Sequence, residues 1–239
     1  MNTQRINKGN VKMIAHRGVS GLEKENTAAA FVAAGNRSYF GVETDVHCTA
    51  DGKFIVIHDD TTTRVTGVER VVEETDFDTL RAMRLLDVDG VNTRGDLCMP
   101  TLEEYIGICK KYEKVAVLEL KNPMPENSVF DIVDVINKME YLDKTVFISF
   151  DFDNLVYVRK RSPEQKVQFL FKEFSDDVIE RVKKHGFDVD VRYTALTREI
   201  IEALHADGIE VNCWTVNEKE DAERLISWGI DYITTNILE

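Results

Sequence analysis

Short apolar runs alternate with amphipathic segments along almost the whole chain, and this rhythm constrains the fold more than any other feature. The runs have the length and β-branched character of buried strands, and the segments between them carry apolar residues at helical spacing. Such alternation implies a parallel sheet, because parallel neighbours need a crossover that is usually a helix. Eight such units in 239 residues favour a closed (β/α)8 TIM barrel over an open doubly wound sheet. We expect one domain spanning residues 1–239.

Eight strands and seven helices follow from this pattern. The strands are predicted at residues 11–15, 40–46, 115–120, 145–150, 167–171, 187–191, 209–216 and 231–235. The helices are predicted at residues 26–36, 101–112, 128–139, 155–161, 175–184, 197–206 and 218–228. Thr101 and Glu104 can form a capping box at one helix start, and Asn26 or Thr27 can cap another.

One stretch interrupts the rhythm. Residues 59–100 are rich in threonine and turn residues, and they form a small insertion between the second strand and its helix. A long insertion on a strand-to-helix connection is expected to lie over the C-terminal face of the barrel, where active sites of this fold are built.

The second strand carries two carboxylates that share one face, Glu43 and Asp45. It is followed by Asp51-Gly52, a two-residue hairpin signal between strand-like residues. A two-residue loop there would place His58 directly opposite Asp45 and so add a histidine to the pair; a longer loop would break this register. His47 lies one residue off the carboxylate face, and we expect it to have a solvent or hairpin role.

Two other predicted strands end in ionisable residues. The first strand ends with His16 and Arg17, and the third carries Glu119 and Lys121 on one face. Three converging carboxylates without cysteine suit one hard divalent cation, Mg²⁺ or Ca²⁺. Arginine and lysine suit phosphate oxygens, and histidines suit proton transfer near neutral pH. Together these groups indicate phosphodiester cleavage.

The bulk composition excludes several partners. The formal net charge of −13 disfavours nucleic acid and anionic membrane surfaces, so an anionic substrate needs a local cationic site. No apolar run has the length of a membrane span or the form of a signal peptide. The four cysteines form no CxxC pair, which is typical of reduced thiols. We expect a cytoplasmic protein that acts on a small molecule.

At this point the chain resembles the glycerophosphodiester phosphodiesterase family. The resemblance spans nearly the whole chain, and its motifs occur in the expected order. The matching segments are His16-Arg17-Gly18, Glu25-Asn26-Thr27, Glu43-x-Asp45-Val46, Thr49-x-Asp51-Gly52, His58-Asp59, Thr101-Leu102-Glu103-Glu104, Glu119-x-Lys121, Ser149-Phe150 and Trp214-Thr215-Val216-Asn217.

The resemblance implies a TIM barrel with its insertion at residues 59–100. It also implies a metal-dependent hydrolase that converts a glycerophosphodiester and water to sn-glycerol 3-phosphate and an alcohol. The metal ligands would be Glu43, Asp45 and Glu119, holding one Mg²⁺ or Ca²⁺ ion.

The resemblance further assigns roles to five residues. His16 and His58 would be the general acid and base, in an order that the sequence leaves open. Arg17 and Lys121 would bind the phosphate. Trp214 would line the glycerol pocket, although an aromatic residue at this position could also belong to the core.

The chain departs from the family pattern in three places near these motifs. Lys24 replaces the usual proline before Glu25-Asn26-Thr27, and Asn236 replaces a usual aspartate in the closing strand segment. In addition, Thr61-Thr62-Thr63-Arg64 stands where an apolar residue commonly follows the His-Asp motif. Two alternative functions stay open at this stage. One is a lysophospholipase-D-like hydrolase acting on lipid headgroups, approached through residues 59–100. The other is a phosphodiester-binding module without catalysis, which would be missing one of the ionisable residues.

Overall fold

A computed structural model describes residues 2–91 and 94–239 of the chain. Within these residues, eight parallel strands pair in a ring, which closes through the contact between the first two strands, β1 and β2. The predicted TIM barrel is confirmed. The barrel strands are β1 (Lys12–Ala15), β2 (Gly41–Cys48), β4 (Val115–Leu120), β5 (Thr145–Ser149), β6 (Val167–Phe171), β7 (Asp188–Arg192), β8 (Val211–Trp214) and β9 (Tyr232–Thr235); β3 (Phe54–Val56) is a hairpin arm on β2.

The crossover helices lie outside the ring, and five of those described begin at a polar side chain that caps the first turn. The Thr101 hydroxyl accepts the amide of Glu104, whose carboxylate accepts the amide of Thr101 in return, as the capping box predicted. Thr27, rather than Asn26, caps the first helix. The helices are α1 (Ala28–Gly35), α2 (Thr63–Thr66), α3 (Phe77–Ala82), α4 (Leu102–Lys111), α5 (Glu126–Lys138), α6 (Phe152–Arg161), α7 (Asp176–His185), α8 (Arg198–Ala206) and α9 (Lys219–Ser227), with 3-10 turns at Val72–Glu74, Leu142–Lys144 and Tyr193–Ala195.

The predicted hairpin register is wrong by one residue. Asp45 lies opposite Ile57 rather than His58, and the amide of Ile57 donates to the carbonyl of Asp45. The loop has three residues and ends at Gly52, which has a φ of 74°. This value lies in the left-handed region, which glycine adopts without steric cost. His58 nevertheless faces the carboxylates, because β3 ends at Val56 and strand alternation no longer governs the chain beyond it.

The apolar side chains divide between two main layers. The larger core lies between the barrel and its helices, and a smaller cluster packs residues of the 59–100 segment, including Val65, Val72 and Leu80, under β3. Inside the barrel, apolar side chains fill the lower part, and buried polar side chains lie at the C-terminal ends of the strands. That end of the barrel therefore holds the charged residues. In the described residues, no helix has the length and apolarity that a membrane crossing demands.

Candidate active site

The turn after β1 aims backbone groups at the carboxylates of β2. Arg17 has a φ of 53°, an unusual value for a residue with a side chain, and this conformation directs its amide to Glu43 Oε2 at 2.7 Å. Gly18 follows with a φ of 75°, and its own amide donates to the carbonyl of Glu43. A Cβ at Gly18 would come within 2.6 Å of Ala30 on α1, so only glycine fits this close approach. The strained turn thus ties the His16-Arg17 segment to β2.

Three carboxylates, Glu43, Asp45 and Glu119, converge inside the barrel mouth. All three are buried, and each offers an oxygen within 4.8 Å of an oxygen of the others. Burial and the neighbouring Asp45 raise the pKa of Glu43 well above its ordinary value. The same two causes raise the pKa of Glu119 to about 7. Grouping like charges in a buried place is costly unless a cation offsets the repulsion.

Two basic side chains and one amide surround Asp45. Lys121 Nζ lies 2.9 Å from Glu119 Oε1 and 3.7 Å from Asp45 Oδ1, and Arg17 Nε lies 3.6 Å from Asp45 Oδ2. The Asn26 side-chain amide donates to Asp45 Oδ2 at 2.7 Å. Although burial opposes ionisation, Arg17 and Lys121 hold the pKa of Asp45 below its usual range. Of the three carboxylates, Asp45 is therefore the one whose ionised form the surroundings favour.

The carboxylate cluster fits a hard divalent cation. Asp45 Oδ1 is buried and has no hydrogen-bond partner within the described residues. An oxygen in that position needs a cationic or donating partner. Three carboxylate oxygens from β2 and β4, with room for water from the adjoining cavity, form a donor set of the kind that Mg²⁺ and Ca²⁺ prefer.

His16 is oriented by the side chain of Asn236. The imidazole Nδ1 lies 2.7 Å from Asn236 Oδ1, which also accepts the Ser20 hydroxyl at 2.8 Å. An amide oxygen can only accept a hydrogen bond, so Nδ1 carries the proton, and in the neutral ring Nε2 is the unprotonated nitrogen. Burial and the positive charge of Arg17 lower the pKa of His16 to about 4.

His58 has an acidic partner instead of an amide. Its Nδ1 lies 2.7 Å from Asp59 Oδ1. Arg64 of α2 holds that carboxylate through two bonds, at 2.6 and 3.0 Å, and also binds both oxygens of Glu25. Burial lowers the pKa of His58, while the charges of Asp45 and Asp59 act in the opposite direction. Glu25 in turn binds Arg17 at 2.9 Å, so one chain of ion pairs links the two histidine segments.

A cavity of about 110 Å³ opens beside these groups. His16, His58, Arg17, Glu43 and Glu119 form its charged side. The opposite side is more apolar and is lined by Ile148, Phe150, Leu170, Asp190, Trp214, Thr215 and Thr234. The structure thus brings the eight predicted site residues to one end of the barrel: six border the cavity, and Asp45 and Lys121 lie against Glu119 behind it.

Several contacts in this site were missed by the sequence reading. Asn26, Asp59 and Asn236 each bind a predicted site residue, and no role in the site had been predicted for them. Their position within or beside the matching motifs was the available signal. A solvent or hairpin role was expected for His47; the solvent alternative is wrong, while the residue does pair with Ile55 of the hairpin. The His47 side chain is fully buried, with Nδ1 2.9 Å from Glu73 and Nε2 3.4 Å from the carbonyl of His58.

Comparisons with known proteins agree with this geometry. Residues 16–239 match the model of the glycerophosphoryl diester phosphodiesterase family. A glycerophosphodiester phosphodiesterase of Caldanaerobacter subterraneus subsp. tengcongensis is 30% identical over 233 residues, which cover 94% of this chain and 93% of that protein. A phosphodiesterase of Oleispira antarctica, solved in complex with its product sn-glycerol 3-phosphate, superposes with a TM-score of 0.88 at 25% identity, covering 98% of this chain and 96% of that one. A glycerophosphodiester phosphodiesterase of Parabacteroides distasonis superposes with a TM-score of 0.79 at 28% identity, covering 95% and 93%.

Proposed function

The chain belongs to the glycerophosphoryl diester phosphodiesterase family, and on that basis we propose that it hydrolyses glycerophosphodiesters by metal-dependent histidine acid/base catalysis. It is a glycerophosphodiester phosphodiesterase; the metal, the residue roles and the products are our proposal. The observation that carries the proposal is the convergence of three carboxylates, two histidines, an arginine and a lysine on one end of the barrel. The products would be sn-glycerol 3-phosphate and an alcohol.

The phosphate would bind between the carboxylate cluster and the basic side chains. Glu43, Asp45 and Glu119 would hold one divalent cation, Mg²⁺ or Ca²⁺, which when bound offsets charge on the non-bridging phosphate oxygens. Arg17 Nε is buried without a hydrogen-bond partner among the described residues, so this donor is available to a phosphate oxygen. Lys121 would contribute a second positive charge from the other side.

His16 is assigned as the general base. Its low pKa keeps the imidazole neutral at pH 7, and its bond to Asn236 leaves Nε2 free to accept a proton. We propose that this proton comes from the 2-hydroxyl of the glycerol, which would attack the phosphorus of the same molecule. Internal attack benefits from proximity, and water would then open the resulting cyclic phosphate.

His58 is assigned as the general acid. Burial lowers the pKa of His58, but the Asp59 carboxylate favours its protonated form, and Arg64 holds that carboxylate in place. The imidazolium would protonate the leaving alkoxide. Since Arg64 comes from residues 59–100, we propose that this insertion lies over the active-site face and supports the acid. Trp214 would pack against the glycerol carbons.

The test is turnover of glycerophosphoethanolamine and glycerophosphocholine, followed through release of sn-glycerol 3-phosphate. We expect His16→Ala and His58→Ala each to lower kcat by roughly 10²–10⁴-fold, the usual contribution of a proton transfer. His205→Ala is the matched control, because this histidine of α8 pairs with Asp231 and lies outside the cavity lining. Activity near the wild-type level in both active-site variants would refute the assignment.

The order of the two histidines has its own test. A glycerophosphodiester with a p-nitrophenol leaving group needs no proton on the departing oxygen. His58→Ala should recover most of its activity on this substrate, whereas His16→Ala should not. Recovery by His16→Ala instead would reverse the two roles.

One observation favours a second candidate, a lysophospholipase-D-like activity. Val68, Val71, Val88 and Val91 are exposed large apolar side chains, and all four belong to the 59–100 segment. Such side chains could meet a lipid surface near the site. Turnover of a lysophospholipid and of its deacylated diester should be compared side by side. A higher kcat/KM for the lysophospholipid would favour this candidate.

A further inference from the structure

Asp190 is a buried acid inside the barrel that the proposed chemistry does not use. It lies in the middle of β7, opposite Leu170 on one neighbouring strand and Asn212 on the other. Its neighbours in sequence, Val189 and Val191, pack outward into the main core, so the Asp190 side chain points inward. There it lines the same cavity as His16 and Trp214.

The Asp190 carboxyl makes no hydrogen bond to a protein group in the described part of the chain. The residue is only 1% exposed, and its Oδ1 is buried with no hydrogen-bond partner among residues 2–91 and 94–239. The nearby indole of Trp214 donates to the backbone carbonyl of Asp190 and leaves its carboxyl free. Buried polar atoms are nearly always hydrogen-bonded, so this one needs a partner from the cavity.

The chemistry of the cavity indicates what that partner is. Trp214, Ile148 and Leu170 offer apolar surface around the carboxyl, which suits carbon atoms. Burial raises the pKa of Asp190 well above its ordinary value, so a neutral partner suits it better than a second anion. The cavity of about 110 Å³ has room for several water molecules, and therefore for a small polyol.

We propose that Asp190 binds the primary hydroxyl of the substrate's glycerol, the hydroxyl farthest from the phosphate, and so determines specificity for glycerol diesters. This inference rests on the proposed function, since it takes the phosphate to lie at the carboxylate end of the cavity. Because Asp190 and the Trp214 ring line the same cavity as the histidines, they would together hold the glycerol in one orientation. That orientation would bring the 2-hydroxyl toward His16. Asp190 is therefore a specificity-determining residue.

The experiment compares two substrates in three proteins. The substrates are glycerophosphoethanolamine and the same diester built on propane-1,2-diol, which keeps the 2-hydroxyl but lacks the primary one. The proteins are wild type, Asp190→Ala and Asp188→Asn. Asp188 is the matched control, because it lies on the same strand and pairs with Lys166 instead of lining the cavity.

We expect wild type to favour the glycerol substrate about 10- to 100-fold in kcat/KM, as one buried hydrogen bond would give. In Asp190→Ala the activity on the glycerol substrate should fall by that factor, while activity on the propanediol substrate changes less than about threefold. The preference therefore disappears in this variant and persists in Asp188→Asn. Should Asp190→Ala fail to fold, the isosteric Asp190→Asn serves, with an intermediate preference expected.

Two results would overturn the inference while leaving the proposed function intact. One is a wild-type preference below about threefold, and the other is an equal loss on both substrates in Asp190→Ala, the mark of a purely structural residue. Failure of wild type to hydrolyse either diester would be a different outcome. It would refute the proposed function and this inference with it.

Discussion

The bond between His16 and Asn236 allows the pKa of the proposed base to be shifted by a single isosteric change. In Asn236→Asp a carboxylate would replace the amide oxygen that now lies 2.7 Å from Nδ1. Protonated His16 would then face a negative charge at close range. The variant should raise the pKa of His16 from its value of about 4, because the new charge stabilises the imidazolium.

The size of this shift follows from Coulomb's law. Opposite charges about 4 Å apart gain roughly 4 kcal/mol at an effective dielectric constant near 20, which equals about 3 pKa units. Burying the new carboxylate offsets part of this gain, and we expect a net rise of about 1–2 units. A base works only when neutral, so its activity is lost as the pH falls through its pKa. The variant should therefore lose activity at a higher pH than wild type.

The assay is kcat/KM against pH from 4.5 to 9 at constant cation concentration, with NMR titration of the His16 ring as a direct readout. Asn217→Asp is the matched control. The Asn217 side chain accepts a hydrogen bond from the backbone N–H of Asn236 at 2.9 Å, so it lies one residue further from the imidazole. The acidic limb of the pH profile of Asn217→Asp should shift less than half as far as that of Asn236→Asp. An unmoved or lowered limb in Asn236→Asp, or an equal shift in both variants, would refute the reasoning.

Four other predictions concern the carboxylates and the insertion. Mg²⁺ or Ca²⁺ at a hundred times its Kd should stabilise the protein by about 2.7 kcal/mol. Calorimetry should show this as a rise in Tm of roughly 5–10 °C, and the Glu43→Gln variant should lose most of that rise. Because the pKa of Glu119 is raised to about 7, protons should compete with the cation, so calorimetric titration should show weaker binding as the pH falls from 8 to 6. The same raised pKa of Glu119 should make the metal-free protein lose stability as the pH rises through 7. The reason is that a carboxyl with a raised pKa in the folded state favours folding only while it is protonated. A Tm that does not change with pH in EDTA would contradict this prediction. Arg64→Ala should lower kcat about 3- to 30-fold by releasing Asp59 from its place beside His58, whereas Arg94→Ala, an arginine of the same segment paired with Glu23, should leave kcat within about twofold.

The sequence predicted the barrel and the residues that gather at its mouth, because both depend on local patterns. Apolar runs of strand length mark the strands, and in a parallel barrel all strands end at one face. Charged residues at three strand ends therefore had to meet. The capping box at Thr101 and Glu104 is equally local and was also confirmed.

The hairpin shows where local reasoning stopped. Asp51-Gly52 marks a turn, but the loop length depends on how the flanking backbone pairs, and one added residue moved the register. Because β3 ends at Val56, strand alternation does not determine the direction of the His58 side chain, which faces the carboxylates. His47 was misjudged for a related reason, since the Glu73 side chain that covers it comes from a segment 26 residues away.

The amino-acid sequence by itself determined the (β/α)8 fold, the family and the ionisable groups of the site. Tertiary structure alone decided which groups touch. Asn236 reaches His16 across 220 residues of chain, and Arg64 joins Asp59 to Glu25 across 39. Asp190 looks in the sequence like an ordinary strand residue, and only closure of the barrel buries its carboxyl in the cavity. The physical reason is that pKa and specificity depend on charges and donors a few ångströms away, and in this site those neighbours come from distant parts of the chain.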